Sequence, residues 1–132
     1  MMSEQVKNPD ILTAEELQDM LTLLPKVSDA EKRDILYKLE LHEQAEKVEN
    51  AQNNFIDFVH MVWPNFIDGA HHKRMAKAFE RVARGEGKRL IINMPPRHTK
   101  SEFASYLLPA WFLGKFPQKK VIQTSHSGVA GR

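Results

Sequence analysis

Arg97-His98-Thr99-Lys100-Ser101 packs two fixed cations, an imidazole and two hydroxyls into five residues. Those groups suit an anion with several oxygens. A guanidinium grips phosphate through a planar fork, and an ammonium adds a point charge on a flexible stem. A serine hydroxyl can complete the shell of a Mg²⁺ ion that bridges two phosphates. A plainer reading stands beside this one, because a Lys-Ser pair at a helix start often means only a cap and a solvated lysine.

The flanking elements must position these side chains. Upstream, Leu90, Ile91 and Ile92 lie between Arg89 and Asn93, and such an apolar run reads as a short strand buried on both faces. Pro95-Pro96 ends it, since neither proline can donate to a ladder. Downstream, Phe103, Ala104, Leu107, Leu108, Trp111 and Phe112 recur at helical spacing. Strand, tight loop ending in Lys-Ser, then helix is the layout of a phosphate-binding P-loop. At that junction several backbone N–H groups are unpaired and point one way, at the positive end of the helix dipole. The general pattern places glycines where this chain has Thr99 and Met94. Thr99 is the serious departure, because a β-branched residue resists positive φ and its Cβ obstructs close approach to phosphate.

The wider wording, Ile91-Ile92-Asn93-Met94-Pro95-Pro96-Arg97-His98-Thr99-Lys100-Ser101-Glu102, closely resembles the ATPase motif of the large terminase subunit of tailed double-stranded-DNA phages. The Walker A loop of that family commonly reads Pro-Pro-Arg-His-Gly-Lys-Ser-Glu, and some members have Thr in the glycine slot. The resemblance continues through Leu108-Pro109-Ala110-Trp111-Phe112-Leu113-Gly114, Pro117 and Val121-Ile122-Gln123-Thr124-Ser125-His126-Ser127. It also reaches upstream into Phe55-Ile56-Asp57-Phe58-Val59 and His71-His72-Lys73, so residues 55–132 look familiar and the first fifty are unspecific.

This resemblance implies an α/β fold: a partial P-loop NTPase, with a parallel sheet and flanking helices, preceded by an α-helical extension. Residues 1–53 would be the acidic helical extension and residues 54–132 the N-terminal part of the ATPase domain. The implied function is the ATP-binding portion of the motor that hydrolyses ATP to package viral DNA into a capsid. Lys100 would hold the β and γ phosphates, Ser101 would ligate Mg²⁺, and Arg97 would respond to the γ-phosphate. Backbone N–H groups from Arg97 to Ser101 would cradle the anion. Pro96, His98 and Glu102 complete the loop, His98 shaping it rather than performing acid–base chemistry. His72 occupies the place where related ATPases put an adenine-contacting polar residue. The implied partners are double-stranded DNA, a portal protein, a small terminase subunit and further copies of the chain, in the host cytoplasm and transiently on the procapsid.

The totals fit that picture without demanding it. A chain of 132 residues suffices for one modest domain. No window approaches the length of a membrane-spanning helix, and the first residues lack the basic and apolar regions of a secretion signal. With no cysteine there is neither a disulfide framework nor a Cys-ligated zinc site. A net charge of +2 conceals a polarised chain. Residues 1–72 carry six Lys/Arg against fourteen Asp/Glu, whereas residues 73–100 carry nine against two. A basic segment of that kind suits nucleotide or DNA backbone; equally, Lys73, Arg74, Lys77, Arg81 and Arg84 suit the wet face of a helix.

Along the chain, Thr13 with Glu16 and Ser28 with Glu31 are capping-box signals. They predict helices over 13–24, stopped by Pro25, and from 28 to about 52. Phe55, Phe58, Val59 and Val62 share a helical face ended by Pro64. Asp68-Gly69 reads as a turn, after which a helix runs from about 72 to 84 and closes at Gly85 and Gly87. His71 and His72 point in different directions on a helix, so they are not expected to share a metal ion. Pro109 predicts a kink or break in the helix that follows the loop. Residues 120–124 read as a second strand, with Ser125-His126-Ser127-Gly128 at its carboxyl end, where ligands bind in open α/β sheets.

A working ATPase of this class also needs a later acidic residue to steady Mg²⁺ and a group to orient water. No strand after residue 125 can supply either, so this chain alone is expected to bind ATP weakly without turning it over. Two alternatives remain: another P-loop enzyme, helicase-like or a small-molecule kinase, and a non-catalytic module whose acidic helices bind a partner subunit.

Overall fold

A strand differs from a helix in where its hydrogen bonds go. A helix satisfies its backbone within the segment, whereas a strand needs a neighbour. That difference decides the architecture. In the computed structural model, which describes residues 10–124, the elements are helices, and there is no strand or sheet among the described residues. The expected parallel sheet is therefore corrected. Residues 89–95 and 119–124 lack helix and ladder alike. Ile91 is 84% exposed and Ile122 90% exposed, so neither apolar run is covered as a central strand would be. The pattern was right for a strand, but among the described residues no second strand exchanges N–H···O bonds with it. The α/β P-loop fold does not describe this chain; a helical fold does. Ser125-His126-Ser127-Gly128 lies outside the described residues.

The chain divides into two compact units, Met1–Asn50 and Ala51–Arg132. The expected boundary after Asn53 falls one turn of helix later. In the first unit, α1 (Ala14–Leu23) starts on Thr13, whose Oγ1 accepts from Glu16 N–H while Glu16 Oε2 accepts from Thr13 N–H at 2.7 Å. A 3₁₀ turn (Leu24–Lys26) carries Pro25. Helix α2 (Asp29–Asn53) opens with the second such box, Ser28 N–H donating to Glu31 Oε2 at 2.9 Å. Leu12 N–H donates to the buried His42 Nδ1 at 2.9 Å, tying the entry of α1 to the middle of α2.

The second unit carries the denser core. Helix α3 (Phe55–Val62) buries Phe55 and Val59, one turn apart, and α4 (Ala70–Ala83) buries His72, Met75, Ala76 and Phe79. Phe55 is the hub: its ring meets Phe79, Phe103 and Trp111 edge-to-face at centroid distances of 5.3, 5.5 and 5.6 Å. Polar ends are satisfied, with Phe55 N–H on Glu80 Oε1 at 2.9 Å and Trp111 Nε1–H on Ala51 O at 2.9 Å. Helix α4 closes as the sequence leads one to expect, with Gly85 at φ 80°. Glu86 N–H bonds Arg81 O and Gly85 N–H bonds Val82 O, the paired bonds of a Schellman cap.

Pro109 does not break the helix that follows the loop. The chain is helical from residue 100, takes a π-helical form over Glu102–Leu107 and continues as α5 (Leu108–Lys115). Leu108 N–H donates to Phe103 O, five residues back. The widened turn lies directly before the proline, where a tight one would press the ring against the preceding carbonyl. No described helix is long and apolar enough to cross a membrane.

Candidate functional site

Residues 96–102 are held between two elements whose sequences explain their placement. Phe103 is fully buried against Phe55 and Phe66 (5.3 Å from the latter). This anchors the first turn after the loop. On the other side, α4 begins at Gly69, whose N–H donates to His72 Nδ1 at 2.9 Å. That bond is one half of a capping box, with histidine in the position usually held by glutamate.

Inside the loop the backbone takes two left-handed residues, Arg97 at φ 65° and Thr99 at φ 54°. For a β-branched residue this is a true outlier, costing about 1–3 kcal/mol unless the surroundings impose it. Alternating backbone handedness turns successive N–H groups toward one side and forms the concavity in which anions are commonly held. Thr99 O accepts from Phe103 N–H at 3.0 Å, so the helix begins on Thr99. The N–H groups of Lys100, Ser101 and Glu102 fall in its first turn, where the helix itself offers no carbonyl to receive them.

The hydrogen bonds around Thr99 determine the protonation of each partner. Thr99 Oγ1 donates to His98 O at 2.7 Å, so it must accept from His72 Nε2–H, 2.6 Å away. His72 is then the neutral tautomer with its proton on Nε2, because Nδ1 already accepts from Gly69. The ring is 7% exposed and lies near Phe66 and Phe103, at centroid distances of 4.8 and 5.1 Å. Burial, and next the adjacent His71, hold its pKa below the ordinary imidazole range; Asp68 opposes this and His98 adds to it. In the loop, His98 Nδ1–H donates to Pro96 O at 3.0 Å, a contact that shapes the turn.

The sequence-derived site residues thus fall into two groups. Pro96, Arg97, His98, Ser101 and Glu102 are exposed, while Thr99 and Lys100 are half-buried. His72 joins them from twenty-seven residues away through Thr99. Both of its ring nitrogens are engaged within the protein. Lys73, Arg74, Lys77 and Arg81 on α4 and Arg84 at its C-cap are all exposed. Three of these are paired locally, Lys73 with Asp68 at 3.3 Å, Arg81 with Glu86 at 4.0 Å and Arg84 with Glu86 at 2.7 Å.

Sequence reasoning missed several contributors. Asp68, read only as part of a turn, meets His60 Nε2 at 3.0 Å and Lys73, and Lys73 leads in holding its carboxyl below the usual range. Phe66 walls His72 and carried no motif signal. A cleft of about 670 Å³ lies between α4 and residues 90–94, lined by His71, Arg74, Met75, Ile91 and Asn93 among others.

Among the described residues no group of three or more His, Asp or Glu side chains is placed to hold a metal ion. The Ser101 hydroxyl, exposed in the first turn of the helix, offers one oxygen. That fits Mg²⁺ arriving with a nucleotide, since Mg²⁺ keeps several waters and takes most other ligands from phosphates. Comparison with protein-family models, with curated proteins and with solved structures finds no match to this chain.

Proposed function

We propose that residues 96–102 bind the phosphates of ATP with Mg²⁺, and that the chain is the nucleotide-binding portion of a DNA-packaging motor resembling the phage large terminase subunit. The observation that carries this reading is the pair of left-handed residues, Arg97 and Thr99, opening directly onto the first turn of a helix. A cap with a solvated lysine needs neither. In this reading Lys100 reaches the outer phosphates, Arg97 answers the γ-phosphate, and Ser101 lends its hydroxyl to Mg²⁺. ATP hydrolysis would then drive double-stranded DNA, with a portal protein and a small terminase subunit as partners.

The test is titration of the 132-residue chain with MgATP, read by calorimetry and by thermal shift. A ligand that binds only the folded form raises stability by mass action, about 2.7 kcal/mol at a hundredfold excess over Kd. Lys100→Ala removes a charge-assisted contact worth about 1.5–3 kcal/mol and should weaken MgATP roughly 10- to 100-fold, with the melting temperature of the free protein unchanged. A flat titration of the wild type ends the reading. Equal affinity of the variant removes Lys100 from it.

A second reading draws on the first unit, where Leu21, Leu23, Leu36 and Tyr37 are exposed on the acidic helices. These faces suit a docking surface for a partner subunit, and a chain that acts only in this way would show no MgATP response.

A further inference from the structure

A threonine at φ 54° raises a question that the phosphate-binding reading does not answer, namely what keeps it there. Glycine adopts such a backbone at no steric cost, whereas a β-branched residue needs an external hold. The hold is visible. His72 Nε2–H reaches Thr99 Oγ1 at 2.6 Å, Gly69 N–H secures His72 Nδ1 at 2.9 Å, and Thr99 Oγ1 donates its own O–H to His98 O at 2.7 Å.

We infer that His72 is a positioning residue for the anion loop: its imidazole clamps the Thr99 hydroxyl and so keeps the loop in the left-handed form that turns its N–H groups outward. The inference rests on the phosphate-binding reading. Three features favour a clamp over a simple packing role. A neutral imidazole has one donor and one acceptor on opposite sides of a rigid ring, and here it spans the N-cap of α4 and the loop. The Phe66 and Phe103 rings close over it, so water does not compete for either nitrogen. The hydrogen bonds from His72 through Thr99 to His98 O all run in one direction, and such chains strengthen one another. Threonine in the glycine slot is then no defect. Its hydroxyl is the handle that the histidine grips, and glycine would offer no handle at all.

The clamp makes a prediction that packing does not. In a double-mutant cycle, His72→Ala is made in the wild type and in a Thr99→Gly background, and MgATP affinity is measured for all four proteins. In the wild type, His72→Ala should weaken binding about tenfold, a coupling ordinary for hydrogen-bonded groups. In the Thr99→Gly background it should change affinity by less than about twofold, because nothing remains to be held. Equal losses in both backgrounds overturn the clamp and leave His72 as packing.

A second measurement needs no change at His72. In ¹⁵N-histidine NMR spectra the wild type should show a slowly exchanging His72 Nε2–H, its protection preserved in Thr99→Ser and lost in Thr99→Val, while the tautomer, set by Gly69 N–H on Nδ1, stays the same. An Nε2–H exchange rate indifferent to Thr99→Val overturns the inference even if His72→Ala fails to fold. If the Nε2–H signal behaves as expected and the wild type binds no MgATP, the phosphate reading falls and the clamp's role in it falls too. Binding without coupling removes the clamp alone.

Discussion

His72 spends its whole hydrogen-bonding capacity as a neutral ring, and protonation would place a second N–H against the Gly69 N–H. The pH dependence follows from this. Burial, His71 and His98 lower its folded pKa, outweighing Asp68. The unfolded chain therefore takes up a proton near the ordinary imidazole value of about 6.5 before the folded protein does. Stability from this group is complete above that pH and is lost as pH falls from it through the lower folded value. Asp68, held low chiefly by Lys73, acts in a separate acid window: its contribution is present above the ordinary carboxylate value and is lost as pH falls through the depressed one. Urea midpoints measured between about pH 7.5 and 5.5 should fall with pH in the wild type. The fall should shrink in His72→Gln, whose side chain does not titrate; an unchanged slope would assign it to other groups. The sequence set His72 apart from His71 only as the place of an adenine-contacting residue, and its bond to Thr99 was not legible there, because the two residues lie twenty-seven positions apart.

Local signals carried through to the elements, and non-local ones did not. Thr13 with Glu16, Ser28 with Glu31, and Gly85 each act within one turn of backbone, and each helix end formed where its residues indicated. The apolar run Leu90, Ile91 and Ile92 signals only a capacity for pairing, and with no partner strand among the described residues it remains an irregular segment beside α4. Pro109 was legible as a disturbance but not as the π-helical turn that precedes it, in which Leu108 N–H bonds Phe103 O five residues back. The cap of α4 is the most sharply testable of these elements. An added Cβ at Gly85 would meet nothing within 4 Å, so the cost of Gly85→Ala is that of the φ 80° backbone alone. That cost is about 1–2 kcal/mol, measurable as a lower urea midpoint with an unchanged m-value. A neutral result would mean that the helix end relaxes to another cap.

At the scale of the whole chain, the two units differ in how much they enclose. In the second unit Phe55, Val59, Phe79 and Phe103 are sealed from solvent, and their rings and methyls meet around one centre. In residues 10–50 His42 is the one buried side chain, and α1 buries none. Helices with strong caps but little enclosed apolar surface form readily and open readily, since most helical stability in proteins comes from packing rather than propensity. Local opening free energies should therefore divide along the Asn50–Ala51 boundary. Hydrogen exchange should find amides of α3, α4 and α5 protected close to the global unfolding free energy, and those of α1 and the first turns of α2 exchanging by local opening at far lower cost. Adding MgATP should slow exchange at residues 97–102 and leave residues 10–50 unmoved, because mass action stabilises the unit that holds the ligand. Equal protection across both units would show that half-buried apolar residues such as Leu17 and Met20 on α1 and Ile35 and Leu39 on α2 contribute more than their exposure suggests. Protection spreading from the loop into α1 would show that the units unfold as one.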